Sequence, residues 1–299
     1  MIDLILIIKL IFLGVVEGLT EFLPISSTGH LIVCADMVKF DGEIASLFEI
    51  VIQLGAILAV VWLYREKIIS LIKNAFKELS TVFSQPSALS PQSVKSSPFH
   101  FFTSSPKDYP SLSFVLNLFI AFVPASVVGF FFHGIIKNYL FNPITVSFAL
   151  ILGGYIILYI ENKNIETKTE EAFDITKKSA LIVGLSQILS LIPGVSRSGA
   201  TIMGGVCSGL SRKAAAEFSF FLAIPIMFAA TFYDLYKSSA IINTDTVIII
   251  AVGFIAAFVS AVVVIKWFIK YISTKDFKIF GWYRILFGAL LLGFYYFKG

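Results

Sequence analysis

Apolar residues in this chain come in long unbroken runs, and clusters of Gly, Pro and polar residues separate them. Six runs, at about 49–64, 114–132, 145–160, 214–233, 247–265 and 282–297, predict membrane-crossing helices, some shorter than the ~20 residues of an untilted span. None alternates with the two-residue period of a barrel strand. A backbone inside a bilayer must satisfy its own N–H and C=O groups, so the predicted fold is all-α and polytopic. Between the first two runs, Ser80 to Pro110 holds Pro86, Pro91, Pro98, Pro106 and Pro110 with little apolar periodicity. This stretch, about 80–112, is expected to be an irregular polar linker inside a single integral membrane domain, 1–299.

Composition removes the soluble alternative. Of 299 residues, 57% are hydrophobic and 14% charged, with mean hydropathy +0.89, against roughly 25% charged in soluble domains. The net charge of +4 implies no nucleic-acid partner, because in such a chain the side on which the basic residues lie carries the information. Sorted by connection, 17 of the 23 fall on one side, including Lys266, Lys270, Lys275, Lys278 and Arg284 between the last two runs. Five fall on the other side, and Arg197 belongs to neither. The majority side is expected to be cytoplasmic. Cys34 and Cys207 lack metal-site spacing and read as small buried hydrophobes. Met1 to Leu13 lacks the marks of a removable signal peptide and is expected to stay in the mature chain.

Shifting the chain by 170 positions reveals a repeat: GVVEGLTEFLPISSTGHLI (Gly14 to Ile32) faces GLSQILSLIPGVSRSGATI (Gly184 to Ile202). Gly14 meets Gly184, Ser26 meets Ser196 and Gly29 meets Gly199, with Glu17 opposite Gln187 and Thr20 opposite Ser190. Each copy precedes three runs, and the charge assignment orients the halves oppositely, as in inverted-repeat transporters. Repeat 1 is expected at about 1–163 and repeat 2 at about 174–299. Pro24 and Pro193-Gly194 break the two copies into pieces too short to span. Both are expected to be re-entrant hairpins whose tips meet near mid-membrane around a polar site.

The polar residues in those tips form a phosphoryl-transfer inventory. Glu17 and Glu21 share a helix face, each costing on the order of 3 kcal/mol at mid-membrane unless a partner offsets it. A divalent cation, Mg²⁺ or Ca²⁺, would do so; the plainer alternative is a helix-end pair in water. Ser26, Ser27, Thr28 and His30 follow Pro24 in a tip able to expose backbone N–H groups to phosphate. His30 could serve as general acid or base and Ser27 as nucleophile; alternatively the hydroxyls cap a helix and His30 packs in the core. In Pro193 to Thr201, Arg197 can grip phosphate bidentately, flanked by Ser196, Ser198 and Thr201, while Gly194 and Gly199 admit close backbone approach. Its alternative is a snorkelling anchor. Glu49, Gln53 and Glu217 open runs and extend the site at most indirectly. His100 and His133 read as surface histidines, and Trp62, Trp267 and Trp282 as interfacial anchors.

EGLTEFLPISSTGH (Glu17 to His30), PGVSRSGAT (Pro193 to Thr201) and FEIVIQLGAILAV (Phe48 to Val60) closely resemble the bacterial undecaprenyl-diphosphate phosphatase family, also called bacitracin-resistance protein. The resemblance covers nearly the whole chain, although the 80–110 insertion is longer than the family leads one to expect. It implies hydrolysis of a C55 polyprenyl diphosphate to the monophosphate carrier of peptidoglycan assembly, with a divalent cation, at a site open to the outer face of the bacterial inner membrane. By position, Glu17 and Glu21 would bind metal or activate water and Arg197 would hold the diphosphate. Ser27 and His30 would do the phosphoryl chemistry, and Ser26, Ser196, Ser198 and Thr201 would cradle phosphate oxygens. The nucleophile stays open among Ser27, His30 and water. The implied partners are this lipid and the surrounding membrane lipids, with a homodimer left open. Acid-phosphatase-like lipid phosphatases differ, because no Lys-x6-Arg-Pro run and no Ser-Arg-x5-His run occurs. The competing class is a polyprenyl-phosphate flippase or secondary transporter with a midplane anion site; a structural scaffold leaves Glu17, Glu21 and Arg197 without a purpose.

Overall fold

The computed structural model describes residues 3–84, 109–140, 142–163, 165–237 and 243–298. Eleven α-helices run through them: α1 Leu4–Thr20, α2 Ser27–Val38, α3 Glu43–Leu63, α4 Arg65–Ser84, α5 Pro110–Ile135, α6 Pro143–Glu161, α7 Lys177–Ile188, α8 Arg197–Cys207, α9 Arg212–Lys237, α10 Thr244–Ile272 and α11 Lys278–Lys298. Six of these, α3, α5, α6, α9, α10 and α11, are long and apolar enough to cross a membrane and coincide with the six apolar runs. The chain is an all-α, multi-pass membrane protein.

The other helices explain what the runs left over. α1 and α2, and again α7 and α8, are consecutive helices separated by a break. The 12 residues of α7 and 11 of α8 rise ~18 Å at most, well short of a hydrocarbon core of roughly 30 Å. The first break falls at 21–25 around Pro24; the second follows a 3₁₀ turn, Leu189–Leu191, where Gly194 adopts φ +93°. That left-handed conformation is open to glycine at little steric cost.

Close helix approach fixes where these broken pairs sit. α1 packs along α10 and α7 along α5, while α6 lies along α11 and α3 against α10 and α9. A Cβ at Gly14 would lie 2.3 Å from the Gly253 carbonyl oxygen, and one at Gly184 would lie 2.7 Å from that of Ala121. The repeat's matched glycines therefore do the same work in two helix pairs, letting backbones approach in the manner of small-residue contacts in membranes.

Three expectations need correction. Arg284 is not in a loop: α11 begins at Lys278, which places this arginine inside the last span, 1% exposed. Cys207, expected to be buried, is exposed at the last position of α8, where the helix gives way to a turn; Cys34 is half-buried. The polar linker is shorter than expected, because α4 extends to Ser84 and α5 starts at Pro110. The rest of that linker, including His100, and the side chain of His133 lie outside the described residues. Trp62, Trp267 and Trp282 are 57%, 49% and 63% exposed, as outward-facing anchors should be.

Gly14→Ile should force α1 from α10 and cost about 1–3 kcal/mol, as overpacking does. A lowered Tm in detergent is the expected readout, whereas Gly293→Ala, with open space around it, should not lower Tm.

Candidate functional site

Two twin turns build the site. Ser26 and Ser196, matched in the repeat, adopt φ +72° and +69° and cap α2 and α8. Each side-chain oxygen accepts from the backbone N–H three residues on, Gly29 at 3.4 Å and Gly199 at 3.1 Å. A left-handed serine is strained by about 1 kcal/mol or more, and such strain persists only where surrounding structure holds it. The residues that follow, Ser27 and Arg197, are thereby the first helical residues of α2 and α8.

Both meet on one carboxylate. Ser27 Oγ donates to Glu21 Oε2 at 2.5 Å, and Arg197 Nη2 donates to Glu21 Oε1 at 2.9 Å. Arg197 Nη1 also donates to the Ser219 carbonyl of α9 at 3.1 Å. The Ser198 hydroxyl donates to the carbonyls of Leu23 at 2.9 Å and Glu21 at 3.1 Å, stitching the second tip to the first. Thr201 Oγ1 lies 2.6 Å from Ser219 Oγ and returns a bond to the Arg197 carbonyl at 2.9 Å. Ser196 Oγ lies 3.1 Å from Ser198 Oγ. The two tips predicted to meet do so, and Glu21, Ser27, Arg197, Ser196, Ser198 and Thr201 are joined by hydrogen bonds.

Arg284 was not anticipated. Its guanidinium, buried between the tips and α6, donates to the carbonyls of Pro24 (3.1 Å), Gly194 (3.0 Å), Val195 (3.0 Å), Ala149 (3.2 Å) and Leu150 (3.3 Å). The five N–H groups of a guanidinium match that demand. None of its hydrogen-bond partners among the described residues is a carboxylate. Gly153 makes room for it, since a Cβ there would lie 2.2 Å from Arg284 Nη2.

His30 stands apart from the Glu21 cluster. Its Nδ1 lies 2.7 Å from the Ser26 carbonyl oxygen and its Nε2 lies 2.6 Å from the Tyr283 hydroxyl; Phe287 stacks on the ring at 4.4 Å. A carbonyl only accepts, so Nδ1 carries a proton, and in the neutral ring the Tyr283 hydroxyl donates to Nε2. Both ring nitrogens are thus engaged away from Ser27. Tyr283, like Arg284, comes from α11 and was not expected in the site. Ser219 was missed as well, because a serine inside an apolar run carries no distinguishing spacing. Thr28 is half-buried, and Gly194 serves as an acceptor for Arg284. Glu217 is buried but turns to Tyr64 (3.2 Å) and Lys67 (3.6 Å) instead of the tips. Glu49 and Gln53 are half-buried on α3, with Glu49 in electrostatic reach of Glu17.

Glu17 bears on the expected cation. Its side chain is fully buried with neither carboxylate oxygen in a well-formed hydrogen bond; the Glu21 carboxylate lies close beside it, Glu49 adds further negative charge, and Arg197 is the positive charge nearby. A buried, unsatisfied carboxylate beside others calls for positive charge. Among the described residues no group of three or more His, Cys, Asp or Glu could hold a metal ion. What remains is the Glu17–Glu21 pair, and two carboxylates are a set that can hold a divalent ion which keeps waters or phosphate oxygens as its other ligands.

A family model described as bacitracin resistance protein BacA matches residues 10–290. The chain belongs to the BacA family. The match includes every residue placed in the site above, from Glu17 on α1 to Arg284 on α11. Among curated relatives in that family, the undecaprenyl-diphosphatase of Dechloromonas aromatica (strain RCB) is 48% identical over 290 residues, covering 97% of this chain and 95% of that protein. The undecaprenyl-diphosphatase of Nitrosomonas europaea is 48% identical over the same share of each chain. That of Acinetobacter baumannii (strain ATCC 17978) is 47% identical over 286 residues, covering 96% and 94%.

Replacing Arg284 with Met would leave five buried carbonyls without their donor, at about 1–3 kcal/mol for each one that finds no substitute. The expected result is loss of at least ~3 kcal/mol in denaturant unfolding in detergent. Arg284→Lys, with three donors in place of five, should recover only part of that loss.

Proposed function

We propose that this chain hydrolyses undecaprenyl diphosphate to undecaprenyl phosphate and inorganic phosphate, returning the lipid carrier to peptidoglycan synthesis and conferring bacitracin resistance. The observation that carries the reading is the convergence of Ser27 and Arg197 on the two oxygens of Glu21, in a chain nearly half identical to undecaprenyl-diphosphatases end to end. A polar cluster between two broken helices inside an apolar bundle suits a diphosphate on a long lipid tail, which needs an apolar route and a charged end-point.

In this reading Arg197 clamps the diphosphate, assisted by the hydroxyls of Ser26, Thr28, Ser196, Ser198 and Thr201 and by close backbone at Gly194 and Gly199. Glu21 Oε2 takes the Ser27 hydroxyl proton. Ser27 Oγ then bonds to the terminal phosphorus as the bond to the bridging oxygen breaks, releasing undecaprenyl phosphate. Water cleaves the phosphoserine, giving inorganic phosphate and restoring Ser27. His30, held by Ser26 and Tyr283, keeps the first tip's end in place during these steps and is not the base. Glu17 and Glu21 would hold a divalent cation, Mg²⁺ or Ca²⁺, which supplies charge neutralisation for phosphate oxygens.

The two halves, about 1–163 and 174–299, form an inverted-topology pair, each with a re-entrant hairpin and three spans. Supporting this are the matched turns at Ser26 and Ser196, the matched contacts of Gly14 and Gly184, and a charge distribution that puts 16 basic residues on one side once Arg284 leaves that group. The majority side is cytoplasmic, the membrane is the bacterial inner membrane, and the site opens outward.

Phosphate release from undecaprenyl diphosphate by detergent-purified protein tests the activity. Release should require Mg²⁺ or Ca²⁺, stop with chelator, and fall at least ~100-fold, about 2.7 kcal/mol, in folded Glu21→Ala and in folded Arg197→Ala. Retained release in Ser27→Ala would move the attack to water. No release from folded wild type, with lipid movement in sealed proteoliposomes instead, would favour the carrier. For topology, single cysteines at Asp41 and Glu170, in a chain freed of Cys34 and Cys207, should be labelled from opposite faces. Labelling of both from one face would end the inverted arrangement.

A further inference from the structure

α4 carries three distinct faces. One is bound to the protein: Leu71 is buried, Lys67 pairs with Glu217 of α9 at 3.6 Å, and both carboxylate oxygens of Glu78 accept backbone N–H groups at the start of α5, from Ser111 at 3.2 Å and Leu112 at 2.8 Å. A second holds Ile68, Ile69, Ile72, Phe76 and Leu79, which at helical spacing fall within an arc of about 100°. Ile68 packs partly against the protein core, whereas Ile69, Ile72, Phe76 and Leu79 are 50%, 49%, 69% and 38% exposed and face outward from the described residues. The third is polar. It presents Lys73 and Lys77 beside the stripe, with no ion-pair partner for either among the described residues.

Both ends of α4 are pinned to the same membrane face. Its first residue, Arg65, lies two after the end of the span α3, and Glu78 binds the first turn of α5, the next span in the chain. Two consecutive spans end and begin on one side, so a helix tied to both runs along that surface over the ~20 Å between its anchors. Trp62 and the Arg65 guanidinium stacked on it at 4.9 Å mark the water boundary at the α3 end.

We infer that α4 is an interfacial helix: its apolar stripe seats in the acyl boundary of the leaflet that holds the ends of α3 and α5, and Lys73 and Lys77 receive anionic lipid headgroups. Six of its 20 residues are charged, too many for a span. An apolar stripe flanked by lysines on so polar a helix is the pattern of helices that lie in a membrane surface instead of crossing it. The charge of the flank selects the anionic class of headgroup. This surface is separate from the Glu21 cluster, and the inference stands whether or not the chain is a phosphatase.

Spin labels at single cysteines decide it. The full chain, with Cys34 and Cys207 replaced by Ala, is labelled at Ile72, Asn74 or Phe76 and reconstituted in nanodiscs of phosphatidylcholine, with and without phosphatidylglycerol. Labels at Ile72 and Phe76 should collide more with oxygen than with a water-soluble nickel complex, and the label at Asn74 should show the reverse. Phosphatidylglycerol should draw the Ile72 and Phe76 labels deeper, and Lys73→Glu/Lys77→Glu should abolish that shift. Equal nickel access at all three positions overturns the inference. So does shielding of Ile72 and Phe76 from both reagents, relieved by deleting 85–108 or by dilution of the protein among nanodiscs, because the cover is then the insertion or a second copy. Depths indifferent to phosphatidylglycerol overturn the headgroup assignment.

Discussion

One buried guanidinium holds the centre of this molecule. Arg284 places all its donors on backbone carbonyls of the two hairpin tips and of α6, so three pieces of chain far apart in sequence converge on one side chain. The tips need such a partner. Pro24 and Pro193 break their helices, broken helices leave carbonyls without intrahelical donors, and a buried carbonyl left without a donor is costly. An apolar residue at 284 would have left those oxygens orphaned, and a carboxylate would have repelled them. With the tips fixed, the strained serines and the residues they launch are held to a geometry the hairpins alone could not keep.

That fixed geometry is used asymmetrically. Ser26 and Ser196 make the same turn, yet the first helical residue after one is a hydroxyl and after the other a cation, and both point at Glu21. Glu17, one turn before Glu21, has no counterpart charge in the second half, where Gln187 stands. The first tip thus contributes negative charge and a hydroxyl and the second contributes positive charge, a division that sets a hydroxyl and a guanidinium on the two oxygens of one carboxylate. Thr201 and Ser219 fasten the start of α8 to α9, which limits how far Arg197 can swing.

The fold was legible where the chemistry of lipid exposure writes it. All six spans follow from apolar runs, and both hairpin breaks follow from proline, because these are local constraints that each segment meets alone. The members of the Glu21 cluster were legible too, since charge and hydroxyls inside an apolar chain need a reason. Arg284 was not, because it was counted with the basic connection before the last run although it lies inside 282–297; kept with the run, it is a charge inside a span. α4 was overlooked because its stripe is interleaved with lysines that read as loop charge. The role of Tyr283 rests on a contact with His30 across 253 positions, and no spacing announces such a pair.

The way Arg284 binds has an evolutionary corollary. Every chain has a carbonyl at every position, so side chains at Ala149, Leu150 and Val195 can drift without touching the acceptor itself, as long as the backbone path is kept, whereas Pro24 and Gly194 are held by the breaks they make. The space at Gly153 has no such freedom, since any side chain there enters the volume of the guanidinium. Across homologous sequences, glycine at 153 and arginine at 284 should therefore be lost together or kept together, while the residues that actually accept the hydrogen bonds leave no covariation signal.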